Sequence, residues 1–229
     1  MPANVPGYLR LDVPANSPDF GVRLPCPQCN VQKLSKLGKR TGQLEGVLKM
    51  KRFSNFIPLG GGSTEGLQAS MGFVKNPIGW LTLHGTHGPG KTHLCAAIAN
   101  ELGPENCFYF NTPDLTSSFT DDFEATSKLI KRLERVPVLI LDELDKAHIQ
   151  KWTRSQMQRI FDHRQRNNDK YGLVIATNVA PENYDGDLGF IGSRMRFDIY
   201  KCIEMSGDNR NRSQALKTIS ETSDQRRRQ

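Results

Sequence analysis

Eight consecutive residues, Gly85-Thr86-His87-Gly88-Pro89-Gly90-Lys91-Thr92, spell G-x-x-x-x-G-K-T. Glycines at this spacing let backbone N–H groups converge on an anion, and a helix starting behind them adds the positive end of its dipole. In that setting Lys91 would reach the outer phosphates of a nucleoside triphosphate and the Thr92 hydroxyl would hold Mg²⁺. His93 follows at the mouth of the loop. A chance glycine turn before a helix is the alternative, and the flanks argue against it. Trp80-Leu81-Thr82-Leu83 leads in as a strand, Leu94, Ala97, Ile98 and Leu102 then mark one helical face, and Gly103-Pro104 stops it.

Two carboxylates follow at a second site. The apolar run at residues 136–141 ends in Asp142-Glu143, the profile of a buried parallel strand. Asp142 would hold Mg²⁺ through water, and Glu143, pointing elsewhere, would polarise an attacking water as general base. Another apolar run, at residues 172–178, closes on Asn178. That amide would hold a γ-phosphate or orient the water, or else is an ordinary polar strand end. Arg194, in Gly192-Ser193-Arg194-Met195-Arg196, is a candidate arginine finger for a neighbour's γ-phosphate. Its alternative is a surface arginine in a basic turn.

These groups need a scaffold that brings them together. Strand patterns at residues 80–83, 107–110, 136–141, 172–178 and 197–203 alternate with helical ones. The helical patterns follow Thr92, open at Thr112-Pro113-Asp114 with Thr112 as cap, run over 127–134, and carry Trp152, Met157, Ile160 and Phe161. The fold class is therefore α/β, a parallel sheet between helices, with ligands at the carboxyl ends of the strands. The run Gly60-Gly61-Gly62-Ser63-Thr64 reads as a linker or turn at a domain edge. It divides the chain into an N-terminal region at 1–60, a core at 61–212 and a basic tail at 213–229. Five prolines without periodicity make residues 1–25 extended or unstructured.

Composition narrows the class further. The chain has 229 residues, 37% of them hydrophobic, and a formal net charge of +7. No stretch approaches the roughly 20 apolar residues of a membrane helix. The first residues lack the basic start and apolar run of a secretion signal, and five cysteines, an odd number, fit reduced thiols in a cytoplasm. Between Arg23 and Arg52 stand eight Lys or Arg and one acid, and Arg226-Arg227-Arg228 nearly ends the chain. Basic ends around a near-neutral middle suit a nucleic-acid or acidic-protein partner; for the last three arginines solvated charge is the alternative. Cys26-Pro-Gln-Cys29 is half of a tetrahedral zinc site, or two thiols in a turn. Cys95, Cys107 and Cys202 fall on core elements, and none is a natural partner for the pair.

Together these segments resemble the AAA+ ATPases and, within them, the DnaC/DnaI-type bacterial replicative helicase loaders and their IstB-like relatives. The resemblance is carried by Asn76-Pro-Ile-Gly-Trp80-Leu-Thr-Leu, the run from Gly85 to Ala97, Val138-Leu-Ile-Leu-Asp-Glu143, Val174-Ile-Ala-Thr-Asn178 and Gly192-Ser-Arg-Met. It implies that Lys91 and Thr92 are Walker A, Asp142 and Glu143 Walker B, Asn178 sensor 1 and Arg194 the finger. Arg210 would be the late sensor 2 arginine, with Arg212 two residues on. It implies too that the C-terminal helical lid of the wider superfamily is missing, that the N-terminal domain carries the zinc, and that the region of Trp152 and Lys151 grips single-stranded DNA. An aromatic among cations suits stacking plus phosphate contact; core packing of Trp152 is the alternative. The function implied is an ATP-dependent loader delivering a replicative DNA helicase onto single-stranded DNA, its N-terminal segment docking the helicase and its cores self-associating to share Arg194. An IstB-like transposition helper, or a nucleotide-switched helicase-binding regulator with little turnover, is the alternative. A small-molecule kinase fits less well, because the tandem Asp-Glu and the strand-end asparagine are not kinase features.

Overall fold

The computed structural model describes residues 8–10, 23–25, 42–120, 122–147, 149–197 and 199–206. Cys26, Cys29, Arg210, Arg212 and the basic tail lie outside these residues, and so does the segment that bears on a lid. Two compact units are present, Met1–Thr41 and Gly42–Gln229. In the first, β1 (Tyr8–Arg10) and β2 (Arg23–Pro25) form a short antiparallel pair.

The second unit is built on five parallel strands: β3 (Gly79–His84), β4 (Cys107–Asn111), β5 (Val138–Asp142), β6 (Gly172–Ala176) and β7 (Lys201–Glu204), in the spatial order β4-β5-β6-β3-β7. Both faces are covered, which explains the near-continuous apolar runs. Successive strand residues alternate between faces. Leu139, Leu141, Leu173 and Ile175 enter one core with Trp80, Leu133, Ile160 and Phe161, whereas Val138, Ile140, Val174 and Leu83 enter the other with Leu94 and Ile98. The helices are α1 (Gly61–Lys75), α2 (Lys91–Leu102), α3 (Thr112–Ser118), α4 (Phe123–Arg135), α5 (Lys151–Arg166) and α6 (Gly189–Met195). Among the described residues no helix is long and apolar enough to cross a membrane.

Two expectations need correction. The glycine run at 60–64 is not a linker: α1 begins at Gly61 and packs on β7. A Cβ on Gly62 would lie 2.4 Å from the Glu204 carbonyl oxygen, so glycine serves close approach there rather than flexibility. The compact unit that holds the sheet starts at Gly42. Tyr109 N–H donates to Gly42 O at the sheet edge, Asn100 donates to the carbonyls of Leu48 and Lys51, and Phe56 is buried in the core under α2. Helix α3 differs in detail as well. Its cap is Asn111, not Thr112, and the Asn111 side chain makes no capping bond.

Candidate nucleotide site

The register of the sheet ends four strands in one plane. Asn111 pairs with Asp142, Leu83 lies opposite Ala176, and Thr177 N–H donates to Leu83 O. Because β6 stands between β3 and β5, Asn178 arrives between the glycine loop and the two carboxylates. A cavity of about 500 Å³ opens there, lined by His87 through His93, by Asp142, Glu143 and Asn178, and on the far side by Lys51, Asn55, Phe56, Ile57 and Leu59.

Gly90, at φ 102°, is the left-handed residue that turns the loop into α2. A Cβ there would meet the Phe56 ring at 2.4 Å, so the loop and residues 51–59 close on each other only over a glycine. Phe56 also stands edge-on to His93, whose Nε2 lies 2.9 Å from Arg52 O. Lys91 is nearly buried, and its ammonium donates to the carbonyls of Gly85 (2.8 Å) and Thr86 (2.6 Å), which form the back of the loop. Burial lowers this ammonium below the ordinary lysine range, opposed by the nearby Asp145 and Asp142. Loop carbonyls are weaker partners than phosphate oxygens, so a triphosphate would draw Lys91 off them.

Asp142 is 2% exposed. Burial lifts its carboxyl above the usual carboxylate range, although the hydroxyls of Tyr109 and Thr92 and the Glu143 N–H donate to it. The Tyr109 bond is 2.6 Å, and burial keeps that phenol protonated as a donor. A buried carboxylate beside a threonine hydroxyl is a set of hard oxygen donors, which fits Mg²⁺.

Glu143 is the only non-glycine residue with positive φ among those described, at 55°. Holding it there costs about 1–3 kcal/mol. The turn carries its carboxylate out of the strand line, to where Asn111 Nδ2 donates to Oε2 at 2.7 Å and the Lys146 ammonium donates to Oε1. Burial pushes this carboxyl up, but Lys146 and Asn111 outweigh it and leave Glu143 below the ordinary glutamate range. Asn178 is fixed by Asp145, whose carboxylate accepts from its N–H at 2.9 Å and from Nδ2 at 2.8 Å. The Asn178 carbonyl oxygen is thereby the atom left to face a water or phosphate.

Sequence reasoning thus finds the loop, Asp142, Glu143 and Asn178, which the fold gathers, but misses Tyr109, Asn111, Asp145, Lys146 and the Phe56 wall. A polar strand end at Asn111 was the one available signal. Arg194 does not line this cavity. It pairs with Asp162 on α5, donates to Phe190 O and stacks over the Phe190 ring at 5.4 Å. Trp152 is 38% exposed and edge-on to Phe119, and Lys151 is exposed at the start of α5. No cluster of three metal-ligating side chains occurs among the described residues.

Over 101 residues the chain is 28% identical to the replicative helicase loader DnaC of Escherichia coli (strain K12), covering 42% of this chain and 41% of that protein. The chain spans less than half the length of the curated relatives it matches. The crystal structure of the DnaC helicase loader has the same fold, with a TM-score of 0.55 at 22% identity over 71% of this chain and 100% of that one. The replication initiator DnaA bound to AMPPCP and single-stranded DNA gives a TM-score of 0.62 at 21% identity, over 75% of this chain and 56% of that one. Residues 81–203, more than half of the chain, match the model of the ATPase family associated with various cellular activities, and the chain belongs to that AAA family.

Proposed function

We propose that this ATPase is a loader that delivers a replicative DNA helicase onto single-stranded DNA. The observation that carries the reading is the likeness to DnaC, which extends from sequence to the whole fold of the solved loader. In hydrolysis, Lys91 leaves the Gly85 and Thr86 carbonyls to bind the outer phosphates. Thr92 and Asp142 would hold Mg²⁺, which would supply charge neutralisation on the phosphate oxygens. Glu143 takes the proton of the attacking water, and Asn178, held by Asp145, orients that water through its carbonyl oxygen. Arg194 acts on the site of a neighbouring copy once assembly releases it from Asp162. Trp152 and Lys151 contact the single strand, and the basic residues before Gly42 dock the helicase.

Both Glu143 oxygens are engaged, by Asn111 and Lys146. This favours, as a second reading, a nucleotide-switched helicase regulator with slow turnover. Co-purification with the host replicative helicase in ATP and in ADP tests the first. The full chain should capture the helicase and transfer it to single-stranded DNA, and a chain starting at Gly42 should bind ATP without capture. Capture without transfer selects the regulator. No capture by the full chain refutes both.

A further inference from the structure

The Asp142 carboxylate has a partner that neither the phosphate loop nor its own strand supplies. Tyr109 lies on β4, an edge strand, opposite Ile140 of β5 in the register. It is 7% exposed, and its ring enters the core under α2 with Leu94, Cys95 and Ile98. From there the hydroxyl reaches the polar end of the next strand and donates to Asp142 Oδ2 at 2.6 Å. The Tyr109 backbone N–H donates to Gly42 O at 2.7 Å, so the phenol is held from the outer side of the sheet as well. Phenylalanine stands on either side of it in the strand, at 108 and 110, so packing alone does not call for a hydroxyl here.

The other carboxylate oxygen, Oδ1, accepts from the Glu143 N–H at 2.9 Å. One fixed donor on each oxygen sets both the position and the plane of the carboxylate. The Thr92 hydroxyl donates to the same group, but it differs from the other two. The phenol is carried by a packed ring and the N–H by the backbone, whereas the threonine hydroxyl can rotate away to another ligand. A carboxylate offers about two lone pairs per oxygen, so Oδ1 and Oδ2 each keep one after the fixed donors are served. Mg²⁺ demands near-ideal octahedral geometry and tolerates little displacement of its donors, while Ca²⁺ accepts longer and less regular ones. A carboxylate locked from both sides favours the more demanding ion.

We propose that Tyr109 is a positioning residue for the metal site, its hydroxyl holding Asp142 in the orientation that selects Mg²⁺ over larger divalent cations when a nucleotide is bound. The proposal rests on Thr92 and Asp142 as the metal-holding pair and adds the residue behind them.

The test uses the full chain and a fluorescent ATP analogue, with affinity measured in EDTA, in Mg²⁺ and in Ca²⁺. Tyr109→Phe removes one oxygen and leaves the ring in its core. Affinity in EDTA, which Lys91 and the loop carry, should be unchanged and reports that the variant is folded. The gain in affinity from Mg²⁺ should fall roughly tenfold, the low end for losing a hydrogen bond to a metal ligand, because Asp142 acts through water. The gain from Ca²⁺ should change far less, so the preference for Mg²⁺ narrows by nearly the same factor. Placing 3-fluorotyrosine at position 109 keeps ring and donor and should keep the wild-type preference. General damage lowers all three affinities together and cannot mimic a selective loss. A Tyr109→Phe chain with the wild-type preference overturns the role, and so does an equal loss in EDTA, Mg²⁺ and Ca²⁺, which makes Tyr109 a packing residue only. If the wild type gains nothing from Mg²⁺, or Asp142→Asn leaves that gain in place, the metal-holding pair itself is wrong and the proposed mechanism falls with it.

Discussion

Replacing Asp145 by alanine probes the reaction through a residue that touches neither phosphate nor metal in the proposed scheme. Its carboxylate accepts two hydrogen bonds from Asn178, at 2.9 Å from the backbone N–H and 2.8 Å from Nδ2. Bonds to a charged acceptor contribute about 1.5–3 kcal/mol each. Asp145 is only partly buried, so solvent screening reduces the pair to about 2 kcal/mol together. The Nδ2 bond is the half that orients the Asn178 carbonyl oxygen, and losing about 1–1.4 kcal/mol of orientation lowers kcat about five- to tenfold. Nucleotide affinity should stay within about threefold, since Lys91 and the loop remain. Phosphate release at saturating MgATP gives the first quantity, and titration with a fluorescent nucleotide gives the second. Adding Asp145→Ala to Asn178→Ala should cost nothing more in kcat if Asp145 acts through Asn178. The pH dependence has a defined sign. Burial raises the Asp145 carboxyl, but the Asn178 donors outweigh it and leave it below the ordinary aspartate range. A depressed folded pKa gives stability that is fully present above the unfolded value, about 3.9, and is lost as pH falls through the folded one. The stability gap between wild type and Asp145→Ala should thus be flat from about pH 5 to 8 and close below about pH 4. A folded Asp145→Ala chain with kcat within twofold of wild type refutes this chain of reasoning.

Three other outcomes are expected. Glu143→Gln should bind ATP normally and hydrolyse it about 10²–10⁴-fold more slowly, and single-turnover rates equal to wild type would remove Glu143 from the reaction. Arg194→Ala should leave nucleotide affinity nearly intact while turnover of the assembly drops by about 10³-fold or more. Mixing it with Lys91→Ala should restore part of the activity, and wild-type turnover independent of protein concentration would argue against a shared site. Arg164 is fully buried and donates to the carbonyls of Gly172, Leu133 and Val136 at 2.6–2.8 Å. Arg164→Ala should therefore cost more than about 3 kcal/mol in urea unfolding, and a loss below about 1 kcal/mol would show that water replaces the guanidinium there.

What the sequence by itself determined was local. The phosphate loop is fixed by residues within eight positions of one another. The buried strands announce themselves because a sheet covered on both faces demands unbroken apolar runs such as residues 138–141 before Asp142. The acids and Asn178 follow those runs directly, so their place at the strand ends was legible too. The tertiary structure decided which of these ends meet. Inserting β6 between β3 and β5 puts Asn178 between the loop and the carboxylates, and no periodicity encodes strand order. Asn111 and Glu143 are 32 residues apart, and Asn178 and Asp145 are 33 apart. A polar residue at one strand end gives no sign of which other strand end its register will bring within 3 Å. The glycines of α1 misled for the same reason. A glycine placed for close approach to a distant strand reads as a flexible glycine until that strand is in place.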